Sequence, residues 1–285
     1  MADPAAVRRA WLRAGTLSPA LLIVGMVMLA PLCLMAAYSV LRYVPGQVTD
    51  GAFSLESYAR LFGSLFYLSV VGQTLQLAVI VTLATLLLGY PVAYWLARTR
   101  SRWQGVLAYL VFVPLTVGIV VRIYGWIVIL GNKGLVNNTL LAVGVIDAPL
   151  RLLQTPQAVV FGLVETTLPF MIMPLLSCLR GIDPRIEEAS RALGATPWQA
   201  FWRVTLPLSV PGIVAGSLMT FSLSITAYAV PALLGGARVK MIAGLAYDAM
   251  LVGSNWPFGS AIGIVMTVVS AGVVYSYLRG VSRWA

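Results

Sequence analysis

Apolar residues gather into six long runs, at about 17–41, 66–97, 104–130, 156–179, 207–234 and 257–279, parted by shorter polar segments. A helix needs about 20 mostly apolar residues to cross a bilayer, because it rises only about 1.5 Å per residue. Each run meets that length, so the pattern predicts six transmembrane helices and an all-α, polytopic membrane protein. The second run is the longest and is expected to tilt or to extend past the hydrocarbon. No linker, low-complexity tract, soluble domain or convincing internal repeat interrupts the pattern, so residues 1–285 read as a single membrane domain.

Composition fits lipid as the solvent. The chain is 60% hydrophobic and 10% charged, whereas soluble domains carry about 25% charged residues. A soluble protein this apolar would expose aggregating patches. The net charge of +10 does not point to nucleic acid, because the basic residues sit in short clusters between apolar runs, where they set membrane orientation. With the N-terminus inside, Arg8, Arg9, Arg13, Arg98, Arg100, Arg102, Arg180, Arg185, Arg191, Arg203, Arg279 and Arg283 fall on the inner side. Arg42, Arg60, Lys133, Arg151, Arg238 and Lys240 fall outside. This bias of twelve to six places both termini, including 1–16, in the cytoplasm. Trp11, Tyr43, Trp95, Trp103, Trp256 and Trp284 lie near expected interfaces, as aromatic belts do. Arg8, Arg9 and Arg13 ahead of an apolar run also resemble a signal peptide. The run from Leu17 to Leu41 is long enough to span, however, and Leu32 precedes Cys33 where a lipoprotein signal would want a small residue. The segment is read as a retained first helix.

Enzymatic chemistry has little to work with. Histidine is absent, and Cys33 and Cys178 lie far apart in apolar runs. No metal site and no nucleophile–base pair is expected. No Gly-rich, Lys-bearing phosphate loop is present either.

The most informative segment is the expected cytoplasmic loop 180–206 between the fourth and fifth spans. Asp183 followed by Pro184 predicts a capped helix start, Gly194 a left-handed stop, and Thr196 with Gln199 a second start through a capping box. Ile186, Ala189 and Leu193 recur at helical spacing, while Glu187, Glu188 and Arg191 supply polar faces. Trp198, Phe201 and Trp202 add an aromatic cluster. A surface of this kind packs beneath the membrane or enters a groove on a partner.

Within it, Glu188-Ala189-Ser190, three residues, Gly194, nine residues, Val204, one residue, then Leu206-Pro207 resembles the EAA loop of binding-protein-dependent ABC importer permeases. The family pattern has Ala where this chain has Ser190 and Ile where it has Val204. The segments Arg122 to Ile127 (with Tyr124 and Trp126), Leu130 to Asn137, Leu168 to Pro174, Pro231 to Gly236 and Asn255 to Gly259 are similar to the spermidine/putrescine permease branch. That branch also carries other small solutes. The resemblance implies a type I ABC importer permease fold in a bacterial inner membrane. It implies a second, distinct permease subunit, two ATPase subunits and a periplasmic solute-binding protein as partners. ATP and Mg would sit on the ATPase, so this chain would bind no cofactor and be no enzyme. Glu187, Glu188, Ala189, Ser190, Gly194, Leu206 and Pro207 would form the ATPase-coupling element, with Glu188 facing the ATPase.

Two features bear on the solute. Arg122 lies about eight residues from the outer end of the third span and Glu165 about nine into the fourth, so both sit roughly 12–14 Å deep. Such charges are paired or line a polar path. They are read either as a solute-facing site or gate, or as an ion pair tying two helices. Ser222 to Tyr228 forms a polar break in the fifth span, with Ser224, Thr226 and Tyr228 read as path residues or as hydroxyls bonding back to their own helix. The resemblance implies an acidic residue near that turn, where this chain has Ala227 and Ala232. Asp248 is the remaining acidic candidate, for the path or for contact with the binding protein. The expected function is therefore half of a translocation path for a polyamine or related compound. The alternatives are an ion-driven carrier, or an ABC permease for an opine, phosphonate or inorganic ion.

Overall fold

A computed structural model describes residues 23–49, 51–99 and 102–281. The segment 1–16 with Arg8, Arg9, Trp11 and Arg13, the start of the first run, and Arg100, Arg283 and Trp284 lie outside the described residues. The described chain is helical, and its only β pairing is one isolated bridge between Leu41 and Phe53. Two compact units emerge: Met1–Gly63 with Ala246–Thr267, and Ser64–Leu245 with Val268–Ala285.

In the first unit, α1 (Ile23–Ser39) is apolar and largely exposed, as a lipid-facing helix would be. The Ser39 hydroxyl donates to the Ala36 carbonyl and accepts from Tyr58 of α2 (Glu56–Gly63). Arg60 of α2 lays its guanidinium 4.8 Å from the centre of the Phe258 ring, a cation–π contact.

The second unit is built on three helices. These are α3 (Leu65–Arg98), α7 (Pro156–Gly181) and α10 (Val210–Ile225). Between them in sequence come α4 (Gln104–Thr116), α5 (Ile119–Leu130), α6 (Leu135–Ala142), α8 (Pro184–Ala192) and α9 (Pro197–Leu208). After α10 the chain continues through α11 (Ile242–Val252) and α12 (Trp256–Val281). Leu77, Val81, Ile123, Val159, Leu163 and Leu234 bury one core near the start of α7. Leu96, Met171, Ile172, Leu175 and Leu179 bury another near its end. Hydroxyls inside these helices bond back one turn: Thr74 to Val70, Thr85 to Val81 and Thr167 to Leu163. That is how a hydroxyl is satisfied where no water reaches. Asn137, fully buried, donates to the carbonyls of Gly131 and Leu150 and accepts from the Leu150 amide, which pins the α6 connector.

Among the described residues, four stretches are long and apolar enough to cross a membrane: Leu65–Arg98, Ile119–Ala142, Pro156–Gly181 and Trp256–Gly280. A fifth appears if α9 and α10, bent by 62° to one another, count as one. The third expected span, 104–130, is not continuous. It breaks at Val117, which is extended (φ −96°, ψ 128°), and Gly118, which starts α5. Pro114, Val117 and Gly118 concentrate weak helix formers within five residues. The fifth expected span, 207–234, is also interrupted. Helix α10 stops at Ile225, and a wide turn over Pro231–Gly235 resumes after the polar break.

Candidate functional site

The loop after α7 folds as its residues dictate. The Asp183 carboxylate accepts from the Arg185 amide at 2.9 Å, and Pro184 occupies the first turn of α8. Gly194 adopts φ +91°, the Gly194 amide bonds the Arg191 carbonyl, and the Ala195 amide bonds the Ser190 carbonyl. This pair of bonds is a Schellman stop. Thr196 and Gln199 then exchange the two bonds of a capping box at 3.3 and 3.0 Å. Replacing Gly194 by alanine is expected to cost about 1–2 kcal/mol, since L-residues resist positive φ. Faster hydrogen exchange at the Gly194 and Ala195 amides would register it.

Burial within the loop corrects the expected pattern. Glu187 does not lie on a solvent-facing polar surface; it is 8% exposed. Its carboxylate accepts from Arg98 Nη2 at 2.6 Å, Thr205 Oγ1 at 2.7 Å and the Tyr94 hydroxyl at 3.4 Å. The second Nη of Arg98 donates to the Ile182 carbonyl at 3.0 Å. The apolar positions face outward: Leu193 is 90% exposed, Trp198 69%, and Ile186 and Trp202 about half. The reason is local. Polar groups from α3 and α9 line the inner side of α8, so the carboxylate finds its partners there and the apolar side is left outside. Glu188 and Ala189 are exposed, and the half-buried Ser190 donates to the Glu187 carbonyl at 2.8 Å. Phe201 stands edge-on to Tyr90 and Tyr94 at 5.7 and 5.9 Å, anchoring the aromatic cluster to α3. Leu206 is half-buried and Pro207 exposed, and the chain turns at Ser209, whose hydroxyl shares a 2.9 Å bond with Tyr90.

The second constellation lies between α5 and α7. Arg122 Nη1 meets Glu165 Oε1 at 2.5 Å, with side-chain exposures of 13% and 23%. One turn along both helices Trp126 packs edge-on against Phe161, centroids 4.6 Å apart. Tyr124 points elsewhere and is exposed. On the same side of α7 an open groove of about 570 Å³ runs between α3 and α7; its lining is mostly apolar, with Leu77, Ile80, Leu88, Val160 and Phe161, and Gln73, Gln76 and Gln157 are its polar side chains. A neighbouring cavity of about 400 Å³ shares Gln157 and Phe161 and adds Arg151. At the polar break, Thr226 bonds back to the Ser222 carbonyl at 2.8 Å, while Tyr228 is partly exposed. Ser224 and Thr220, one turn apart, are fully buried and their hydroxyls have no hydrogen-bond partner. Asp248 is exposed and belongs to the first compact unit. Sequence reasoning missed Arg98, Tyr94 and Thr205 as partners of Glu187, and missed the glutamines. Three amides in otherwise apolar runs were the available signal for the latter.

Comparison with known proteins follows the same lines. The family of binding-protein-dependent transport system inner membrane components matches residues 86–284. The chain is 41% identical to the spermidine/putrescine transport system permease protein PotB of Haemophilus influenzae, over 79% of each chain. It is 40% identical to PotB of Escherichia coli K12, over 80% of this chain and 82% of that one. Among solved structures it resembles a chain of a bacterial alginate ABC transporter in complex with an alginate-loaded periplasmic protein. That likeness has a TM-score of 0.79 at 20% identity and covers 95% of this chain and 94% of the other, so the two share a fold.

Proposed function

The chain belongs to the family of binding-protein-dependent transport system inner membrane components, and from that premise we propose that it carries polyamines of the spermidine and putrescine class across a bacterial inner membrane. It acts as one permease subunit of an ABC importer. The observation that carries this reading is the helix pair α8–α9, each helix capped at its start and α8 held from within by Glu187, with Ile186, Leu193, Trp198 and Trp202 turned outward. Exposed apolar side chains on a preordered helix suit a groove on a partner, and here the partner is a separate ATPase. ATP and Mg reside on that subunit. A second, distinct permease completes the path, two ATPases supply the motion, and a periplasmic binding protein delivers the solute. The chain forms a single permease domain of six spans with both termini and the α8–α9 loop in the cytoplasm. The excess of Lys and Arg on that side supports this orientation.

The path runs along the groove of Gln73, Gln76 and Gln157 toward the Arg122–Glu165 pair. Amides in lipid would be costly, whereas facing a watery path they can offer carbonyl oxygens to an ammonium group. Glu165 follows Val164 of that groove in α7 and is the acidic group this reading assigns to the path. Its pairing with Arg122 keeps the unloaded site neutral, and a passing cation competes with the guanidinium. A Glu165→Gln variant is expected to lower polyamine uptake about tenfold while retaining the ATPase, because it leaves Arg122 unpaired at depth. Unchanged uptake would remove Glu165 from the path.

Co-expression with the ATPase, second permease and binding protein of the same transport system tests the whole reading. Expected results are co-purification of the ATPase and ATP-dependent uptake of labelled putrescine or spermidine. Uptake of a different solute by that assembly overturns the polyamine assignment, and a complex without ATPase overturns the importer reading.

A further inference from the structure

We propose that Arg98, Glu187 and Thr205 form the joint that delivers movement of the α8–α9 loop to α3, an inference that rests on the importer reading above. The loop continues by backbone only into α7 and α10. Helix α3 ends at Arg98, far away in sequence, and receives the motion through side chains. Beside the apolar packing of Phe201 on Tyr90 and Tyr94 and the Tyr90–Ser209 bond, the structure supplies one charged link. Arg98, the last residue of α3, binds Glu187 of α8 at 2.6 Å with one nitrogen and the carbonyl of Ile182, just past α7, at 3.0 Å with the other. Thr205 of α9 donates to the same carboxylate oxygen at 2.7 Å, and Tyr94 of α3 approaches the other oxygen at 3.4 Å. One guanidinium–carboxylate pair thus fastens α3, the end of α7, α8 and α9.

Stability alone does not account for such a node. A buried ion pair is often no more stabilising than apolar residues of similar volume. One guanidinium donating to acceptors on two different elements ties their relative positions together. Glu187 is buried while its neighbours Ile186 and Glu188 are exposed, so this carboxylate is turned toward the body of the protein. At the other end α3 carries Gln73 and Gln76, a wall of the proposed path. Arg98, Glu187 and Thr205 are positioning residues on this view.

The test uses the complete importer in proteoliposomes with its ATPase, second permease and loaded binding protein. Glu187→Gln and Arg98→Gln are expected to keep the ATPase bound while uptake per ATP hydrolysed falls about tenfold. Arg98→Lys keeps the charge but loses the fork that reaches Glu187 and the Ile182 carbonyl together, and is expected to lower the ratio by an intermediate amount. Thr205→Val removes one donor without stranding a charge and is expected to lower the ratio to a smaller degree. An unchanged ratio in Glu187→Gln and Arg98→Gln overturns the joint, as does a fall that merely tracks lost ATPase. Should those two variants fail to accumulate, Thr205→Val decides: a lowered ratio supports the joint and an unchanged one overturns it. An unaltered complex that showed no ATP-dependent uptake would instead sink the importer reading itself.

Discussion

A Gly216→Leu variant is expected to accumulate poorly and to lose transport altogether, because no side chain fits between α10 and α7. A β-carbon at 216 would stand 2.7 Å from Met171 Sδ, 3.0 Å from the Met171 carbonyl oxygen and 3.4 Å from its Cα. Two of those atoms are backbone and cannot swing aside, and Met171 is fully buried. One turn earlier Gly212 is as close, with a β-carbon 2.6 Å from Cys178 Cβ and 3.1 Å from the Pro174 carbonyl. Helices in lipid associate through such close approach, since burial from water contributes little between them. Overpacking a tight core costs about 1–3 kcal/mol even where side chains can yield, and here the helices themselves must part. Gly72→Leu is the control, because nothing lies within 4 Å of a β-carbon there. Thermal denaturation of the two variants in detergent is the measurement. Equal midpoints would show that the α7–α10 contact does not hold the fold.

The second large effect is expected from Leu193→Asp combined with Trp198→Asp. Both side chains are well exposed on the capped helix pair, at 90% and 69%, so neither substitution opens a hole in the protein. Burying each against a partner is worth about 1.5–3 kcal/mol, and aromatic anchors tend to dominate an interface. Introducing two carboxylates into an apolar groove removes that gain and adds desolvation. ATPase affinity is expected to fall about 100-fold or more, with unaltered membrane insertion and thermal midpoint. Titration of the purified ATPase against the permease in nanodiscs measures this, and retained affinity would mean that the ATPase is held elsewhere.

Much of the loop was legible because its instructions are local. Asp183, Pro184, Gly194, Thr196 and Gln199 act within a few residues, and each does what its chemistry prescribes. The Arg122–Glu165 contact was accessible to simple geometry, because two charges at equal depth on antiparallel spans have few other places to go. The inward turn of Glu187 was not accessible. It depends on Arg98 and Thr205, which sequence separates from it and which carry no periodic signature. A pattern of apolar residues on α8 states that one side differs from the other but not which side faces the protein. The break at Val117–Gly118 escaped for a different reason. Hydropathy integrates over a window and passes through two residues whose side chains are apolar or absent, whatever their backbone does.

The bend at Ser209 has a mechanical consequence. Helices α9 and α10 meet there at 62°, and Ser209 is tied by its amide to the Thr205 and Leu206 carbonyls and by its hydroxyl to Tyr90. A rotation of the pair as one body about Ser209 would make it a bell crank. Helix α10 is roughly 24 Å long at 1.5 Å per residue, so a tilt of roughly 5° swings its far tip by about 2 Å. The tip bears Ser224 and the break beyond Ile225, so a stroke at α9 would arrive at the polar break.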